Sequence, residues 1–173
     1  VTGSQTLVGT SDNTFTYTLH AGTKAENYVI TTEFGKLTVT DRSEEHKYPI
    51  TVEANSGSKV YDGTELAVEG FKTLTFTANG HDYTVEGLTA YASATDSVVD
   101  LPVNVQGEAI VRDADGNDVT AQFNITPKNG TLNITKRPAS IRSSDAWKEY
   151  DGKPLTDHTT ALTNFVDGEG AFV

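Results

Sequence analysis

One short segment occurs twice in this chain, and its spacing limits what the chain can fold into. Residues 59–66 read KVYDGTEL, residues 148–155 read KEYDGKPL, and their tyrosines are 89 positions apart. An Asp-Gly pair supplies the positive φ that a tight turn requires, and the neighbouring tyrosine and leucine can face one core. Because this turn with two anchors recurs at domain spacing, it predicts an array of similar modules.

We interpret both turns as structural elements and expect their two tyrosines to be equivalent buried anchors. An aromatic ring beside a carboxylate also suits sugar binding, but tyrosine and leucine at a turn are typical of a packed core. The residues to which we assign the anchoring role are Tyr61, Asp62, Gly63, Tyr150, Asp151 and Gly152.

A second set of similar residues recurs along the chain at a spacing of 95 positions rather than 89. The difference predicts a six-residue insertion between Arg42 and Pro49, and insertions are tolerated at surface connections between domains. By the same argument a second junction lies at residues 136–138. The matched pairs are Phe15 with Ile110, Tyr28 with Phe123, Ile30 with Ile125, Leu37 with Leu132, Val39 with Ile134 and Arg42 with Arg137.

These offsets divide the chain into three parts. Residues 1–48, the head, match the later part of a module; residues 49–137, the middle module, match a complete one; and residues 138–173, the tail, match the early part. Half of a β-module leaves its sheet edges unpaired. We therefore expect head and tail to complement each other, either within one chain or between two.

Alternation of β-branched and aromatic residues with threonine predicts an all-β fold with mostly antiparallel sheets. Residues 41–49 are charged and end at a proline, so we predict a linker there. Asn79-Gly80 is the strongest two-residue hairpin signal in the chain, whereas the small, polar residues 89–97 are a candidate for one helical turn. The predicted strands lie at or around residues 15–19, 28–30, 37–39, 50–52, 74–76, 83–85, 103–105, 110, 123–125 and 132–134.

The charge of the chain argues against two classes of partner. Thirteen basic residues oppose 24 acidic ones, a formal charge of −11, whereas nucleic-acid binding needs basic residues and anionic lipids repel an acidic surface. No apolar run approaches the roughly 20 residues that span a bilayer. The absence of cysteine suits exported bacterial proteins and leaves no disulfide or thiolate metal site. The chain begins at Val1 and has no Met, so we expect a fragment of a longer protein.

The order of these motifs resembles tandem repeats of the Tyr-Asp-Gly type, which form adhesin stalks in Gram-positive cell-surface proteins. The resemblance implies small β-modules, immunoglobulin-like or β-grasp-like, in a large exported and often wall-anchored protein. The middle module departs from the pattern, because Gly-Ser-Gln-Thr has no clear counterpart there. The segments that carry the resemblance cover nearly the whole chain and are residues 3–6, 8–11, 27–31, 35–40, 59–66 and 136–138.

This resemblance implies an extracellular stalk or spacer that presents a distal binding domain, with neighbouring repeat modules as its partners. The alternative is that the chain itself binds mucin-type host glycans or a host protein. Aromatic side chains would then be the contacts, and the candidates are Tyr91 and Trp147, the only tryptophan. For Trp147 we expect instead a place in the core or at an interface.

An acidic loop is the one candidate metal site in the sequence. Asp113, Asp115, Asn117 and Asp118 offer alternating oxygen ligands of the kind that calcium prefers. The loop lacks EF-hand spacing, because Gly116 stands fourth rather than sixth and no Glu follows at the twelfth position. We therefore predict a hairpin turn, with calcium as the alternative and no other cofactor.

The sequence offers no catalytic motif. The four histidines, His20, His46, His81 and His158, lie in unrelated segments without a nucleophile motif or carboxylates at metal-ligand spacing. We predict that the chain is not an enzyme. A covalent Lys–Asn or Lys–Asp cross-link depends on a buried trio of residues and stays open.

Overall fold

The computed structural model describes residues 1–171 and has an all-β fold, as the alternating patterns predict. Within these residues the helical elements are three short 3-10 turns, Ala25–Asn27, Glu44–His46 and Thr120–Gln122. The strands are β1 (Gly9–Asn13), β2 (Gly35–Val39), β3 (Tyr48–Glu53), β4 (Gly57–Val60), β5 (Leu66–Glu69), β6 (Thr75–Ala78), β7 (His81–Ala94), β8 (Val98–Asp113), β9 (Phe123–Lys128), β10 (Gly130–Thr135), β11 (Ser140–Ser143) and β12 (Thr160–Thr163).

By its internal contacts the chain divides into two units. The first contains Val1–Tyr48 and Ala121–Asn124, and the second contains Pro49–Thr120 together with the chain from Ile125 onward. The boundary after Tyr48 falls at the end of the head, whereas the tail belongs to the same unit as most of the middle module. The proposed division into three parts stays a prediction.

The first unit is built on the antiparallel pair of β1 and β2. The pair ends where Asn13 lies opposite Gly35. Directly beyond it, the rings of Phe15 and Phe34 meet edge to face with centroids 5.3 Å apart, a geometry that aromatic pairs prefer. This contact closes the base of the long connection between the two strands.

Two strands that we predicted in the head are not formed. Residues 14–34 contain no strand, and their one regular element is the 3-10 turn Ala25–Asn27. Tyr28, which we expected on a strand, is 62% exposed. An alternating pattern becomes a strand only where a neighbouring strand takes its hydrogen bonds. In this unit β1 and β2 pair with each other, and residues 14–34 pair with no strand.

The second unit holds a six-stranded sheet in the order β4-β10-β8-β7-β5, with β6 also paired to β7. Its neighbouring pairs are antiparallel except for β4 and β10. These two strands run parallel, from Gly57 opposite Leu132 to Val60 opposite Thr135. A separate pair joins β3 and β9.

The core of the second unit is formed by side chains of β5, β7, β8 and β10 together with Ala54. Leu132 and Ile134 of β10 are completely buried, and full burial of such a side chain stabilises the fold by about 1.5–3 kcal/mol. Their counterparts in the head, Leu37 and Val39, are only half-buried. The same alternating pattern is therefore fully buried in β10 and half-buried in β2.

The hairpin predicted at Asn79-Gly80 is confirmed. Ala78 lies opposite His81, and the two residues between them have φ of 49° and 77°, as a two-residue turn of the primed type requires. The helical turn predicted within residues 89–97 is wrong, because β7 continues to Ala94. Pairing with both β5 and β8 holds that segment extended.

Two glycines face each other where the register of β7 and β8 shifts. Gly87 and Gly107 have φ of 79° and 100°. A Cβ on Gly107 would lie 2.2 Å from the carbonyl oxygen of Gly87, and a Cβ on Gly87 would lie 2.2 Å from that of Glu108. Only glycine fits such a close approach of two backbones at a bulge.

The described part of the tail forms its own antiparallel pair, in which β11 runs beside β12 from Ser140 opposite Thr163 to Ser143 opposite Thr160. In residues 1–171 the head strands likewise pair with each other. Pairing of head and tail, within one chain or between two, stays a prediction.

Candidate functional site

The two Tyr-Asp-Gly turns have the same local structure. In the first, Oδ1 of Asp62 accepts hydrogen bonds from Nζ of Lys59 at 2.7 Å and from the backbone N–H of Thr64 at 2.9 Å. The lysine also donates to the carbonyl of Thr64 at 2.6 Å. Gly63, in the left-handed region at φ 78°, lets the chain reverse within this network.

The second turn repeats the two contacts of the aspartate 89 positions later, whereas its lysine donates to the carbonyl of Pro154 at 3.2 Å, one position beyond the counterpart of Thr64. Oδ1 of Asp151 accepts from Nζ of Lys148 at 2.7 Å and from the backbone N–H of Lys153 at 3.0 Å, while Gly152 has φ 75°. The lysine lies three residues before the aspartate in both copies. The sequence shows this spacing, but we assigned the lysines no role.

These contacts set the charge state of both aspartates. The ammonium of Lys59, followed by the hydroxyl and the N–H of Thr64, holds the pKa of Asp62 far below its ordinary value. The ammonium of Lys148 and the N–H of Lys153 lower the pKa of Asp151 in the same way. Each turn is therefore a self-contained, charged clasp that needs no neighbouring strand.

The two tyrosines differ, so the prediction of equivalent buried anchors is wrong for one of them. Tyr61 is half-buried and packs against the core of the second unit, whereas Tyr150 is 98% exposed. The reason is the surrounding structure. In the described tail, β11 and β12 form a two-stranded sheet, and no second layer covers the ring of Tyr150.

The first turn is also covered by a segment of the tail. The hydroxyl of Tyr61 donates a short hydrogen bond to the carboxylate of Glu169, which raises the pKa of the tyrosine. A Cβ on Gly63 would lie 2.9 Å from Cγ1 of Val166. Sequence reasoning missed Glu169 and Val166, because no local pattern links residues that are more than 100 positions away from the turn.

An open cleft of about 310 Å³ lies beside Tyr61. It is lined by Tyr61, Asp96, Ser97, Lys136 and Arg137. One of its cations is already engaged, since Nε of Arg137 donates to the carbonyl of Asn164 at 2.7 Å. The lining offers hydrogen bonds and charge to a small polar molecule.

The acidic loop forms the turn between β8 and the segment that follows. Oδ1 of Asp113 accepts from the backbone N–H of Asp115 at 3.0 Å and of Asn117 at 2.8 Å, and the amide of Asn117 lowers the pKa of Asp113. Gly116 has φ 83°. Asp118 instead accepts from the hydroxyl of Thr120 at 2.7 Å. The carboxylate of Asp113 thus organises the turn.

No group of three or more His, Asp or Glu side chains converges as a metal site anywhere in residues 1–171. Calcium binding by the acidic loop stays a prediction from the sequence. Within the same residues no helix is both long and apolar enough to cross a bilayer.

The two aromatic candidates for ligand contact are exposed. Trp147 is 87% exposed, so a core position for it is wrong, and Tyr91 is 57% exposed. Tyr91 belongs to β7, whereas Trp147 lies in the segment between β11 and the second turn.

Comparison with known proteins identified no relative: no protein-family model, no curated protein and no solved structure matches this chain.

Proposed function

We propose that this chain is a load-bearing spacer of an extracellular bacterial surface protein, in which successive β-modules present a distal binding domain. The observation that carries the proposal is the parallel pairing of β4 and β10. β4 lies near the beginning of the middle module, and β10 ends just before the second junction.

The direction of this pair determines its response to tension. Force on the chain before β4 and after β10 drives two parallel strands past each other lengthwise. All hydrogen bonds between the strands then carry the load together, whereas a pair that is opened from one end loses them one at a time. A single hydrogen bond contributes only about 1 kcal/mol, so simultaneous loading is what lets a short pair resist force.

Contacts at the end of the pair extend it. The backbone N–H of Tyr61 donates to the carbonyl of Thr135 at 2.8 Å, and the hydroxyl of Thr135 donates to the carbonyl of Lys59 at 3.3 Å. The Lys59–Asp62 clasp follows directly. We infer that the repeated turn serves to secure this loaded pair at its end.

Contact between the tail and the middle module supports a stacked array. Val166 packs over Gly63, and Glu169 accepts the hydrogen bond from Tyr61. If the tail is the early part of a following module, these contacts fix the neighbouring modules to each other rather than leaving a free tether between them.

The cell-surface location rests on sequence features. The resemblance to Tyr-Asp-Gly stalk repeats, the absence of cysteine and the formal charge of −11 support an exported, wall-associated protein. A surface that is strongly acidic repels its neighbours and keeps a long array soluble.

The proposal is tested by pulling the full chain in two directions through engineered cysteines, since the natural chain has none. Handles at Ser58→Cys and Lys136→Cys load β4 and β10 in shear. Handles at Ser58→Cys and Thr131→Cys pull the same pair apart from one end. Single-molecule force spectroscopy is expected to give a several-fold higher rupture force for the first variant, because forced unfolding follows the unfolding barrier.

The two variants share one handle and one strand pair, so the direction of loading is the variable that differs. Equal rupture forces would show that the parallel pair bears no load and would overturn the spacer proposal. Circular dichroism of both variants before pulling checks that the sheet is intact.

A second function, binding of host glycans, is favoured by the exposure of Trp147. Solvent-exposed aromatic rings stack on sugar faces, and tryptophan supplies the largest such surface. A glycan array with the full chain tests this role. Binding that is lost in Trp147→Ala but kept in Tyr91→Ala would assign a ligand site to the tail, whereas no binding to any glycan would dismiss it.

A further inference from the structure

We propose that the head of one copy docks on the tail of a second copy, with β2 adding to residues 146–149 as a parallel pair. The template for this pair lies inside the chain. In that template β10 and β4 pair in parallel. β10 matches β2 at an offset of 95, and β4 matches residues 146–149 at an offset of 89. This association goes beyond the spacer role and does not depend on it.

Both segments have an unused backbone edge in the described part of the chain. β2 pairs with β1 on one side, whereas β10 pairs on both sides, with β8 and with β4. Residues 146–149 belong to no strand and have exposed side chains. An unpaired strand edge beside an unpaired segment is a template for pairing between chains.

The two offsets also specify the register. Thr135 lies opposite Val60 in the parallel pair, so Thr40 of the head is placed opposite Glu149 of the second copy's tail. The preceding residues follow in order, which brings Trp147 opposite Thr38. A register that is shifted by one residue would turn the apolar face of β2 outward.

Apolar side chains at matching positions are incompletely covered in both partners. In the tail, Ile141, Tyr150 and Leu155 are about half to almost completely exposed, although their counterparts in the middle module are buried or half-buried. In the head, Leu37 and Val39 are half-buried. Docking brings these two sets into one core, as Leu132 and Ile134 share one core with Tyr61 and Leu66, the counterparts of Tyr150 and Leu155.

The proposed pair accounts for a glycine in the head. A Cβ on Gly130 would lie 1.9 Å from the carbonyl oxygen of Asn55, so glycine is required there. Gly35, its counterpart, has nothing within 4 Å, and its φ is not in the left-handed region. In the docked pair Gly35 faces the carbonyl of Ser144, the residue that matches Asn55.

The charges at the start of the pair are complementary. In the second unit the backbone N–H of Thr131 donates to Oγ of Ser56 at 3.0 Å. The corresponding residues are Lys36 and Asp145, which are opposite in charge and exposed. Within one chain Lys36 pairs with Asp12 and Asp145 pairs with Arg142, so docking exchanges these partners. Because each copy offers one head and one tail, this heterologous contact builds linear chains or closed rings, of which the reciprocal pair of two copies is the smallest.

The test uses four single-cysteine variants of the full chain, T38C and T40C in the head and W147C and E149C in the tail. Each head variant is mixed with each tail variant under mild oxidation. The in-register mixtures, T38C with W147C and T40C with E149C, are expected to form disulfide-linked dimers about tenfold faster than the crossed mixtures. In the crossed mixtures the Cα atoms are about 7–8 Å apart, beyond the reach of a disulfide.

Sedimentation velocity of the unmodified chain at increasing concentration supplies the second readout, with growth beyond the monomer expected by about 1 mM. Gly35→Ala is expected to leave the circular dichroism and unfolding midpoint unchanged while abolishing both this growth and the in-register cross-links. A monomer at every concentration, equal cross-linking in all four mixtures, or undiminished association of Gly35→Ala would overturn the proposal. Faster cross-linking of W147C with itself would show a tail-to-tail contact and would overturn it too.

Discussion

At the scale of single residues, the Lys59–Asp62 clasp shows how the chain reverses direction after a strand that lies at a sheet edge. Asp62 accepts from a lysine three positions before it and from a backbone N–H two positions after it. Because all partners lie within six residues, the same clasp forms at Asp151 although its surroundings are different. Local hydrogen bonding alone is sufficient to build it.

Asp62→Asn is expected to destabilise the second unit in a pH-dependent way. The contacts of Asp62 lower its folded-state pKa below an unfolded value of about 3.9. The stabilisation is therefore complete above about pH 4 and is lost as the pH falls through the folded-state pKa. Urea midpoints from neutral to acidic pH should show a gap between the parent and Asp62→Asn that narrows below about pH 4.

Asp167→Asn is the matched control, because it removes the same charge from an exposed aspartate. It should lower the midpoint less than Asp62→Asn at neutral pH. Identical urea midpoints for the parent and Asp62→Asn at neutral pH would mean that the clasp adds nothing to stability.

Tyr61→Ala and Tyr150→Ala are expected to differ although the residues occupy the same place in the repeat. Tyr61 contacts the core and donates to Glu169, so its removal should lower the thermal midpoint clearly. Tyr150 is fully in solvent, and its replacement should change the free energy of unfolding by less than about 0.5 kcal/mol. Measurements on dilute protein exclude association, and equal losses would show that the tail covers Tyr150.

At the scale of elements, the long pair of β7 and β8 depends on a bulge. Gly87 and Gly107 bring two backbones so close that either Cβ would collide with a carbonyl oxygen. The bulge shifts the register between Glu86 and Leu88 and so decides which side chains of both strands face the core. Neither glycine belongs to a turn motif, and sequence reasoning singled out neither of them.

Gly107→Ala is expected to destabilise the second unit more than Gly116→Ala. Both positions have positive φ, which costs an alanine about 1–2 kcal/mol. Gly107 adds a collision 2.2 Å from a carbonyl oxygen, whereas Gly116 has nothing within 4 Å. Urea unfolding should therefore separate the variants by at least about 1 kcal/mol, and equal losses would show that the bulge relaxes freely.

The local sequence pattern predicted a strand most directly where its pairing partner is adjacent in sequence. Asn79-Gly80 joins two strands that are adjacent in sequence, and the hairpin forms as expected. The threonine-rich alternation at residues 15–19 is as regular, yet no strand forms there. Alternation states which residues can share a face, but a strand exists only if another strand pairs with it.

At the scale of the whole molecule, stability should be unequal among the sheets. β8 and β10 lie inside a six-stranded sheet with a buried core. The β1–β2 and β11–β12 pairs are two-stranded sheets, which are marginally stable by themselves in water. The amides of these two pairs can therefore exchange with solvent by local opening, without unfolding of the six-stranded sheet.

Hydrogen exchange of dilute protein is expected to give the slowest amide exchange in β8 and β10 and the fastest strand exchange in β1, β2, β11 and β12. Leu132→Ala should speed exchange throughout the six-stranded sheet, because emptying this buried site costs about 2–5 kcal/mol. Protection of β11 and β12 equal to that of β10 would show that the tail has a cover in the monomer.

What the sequence by itself determined is short in range: the all-β class, the Asn79-Gly80 hairpin and the position of both Tyr-Asp-Gly turns. These features follow from backbone preferences and hydrogen bonds between residues a few positions apart. Tertiary structure alone decided that Tyr61 is covered and Tyr150 is not, that β4 runs parallel to β10, and that two glycines must meet in the bulge. Each of these features depends on which distant strand lies alongside, and a repeated sequence motif does not specify the distant segment that packs against it.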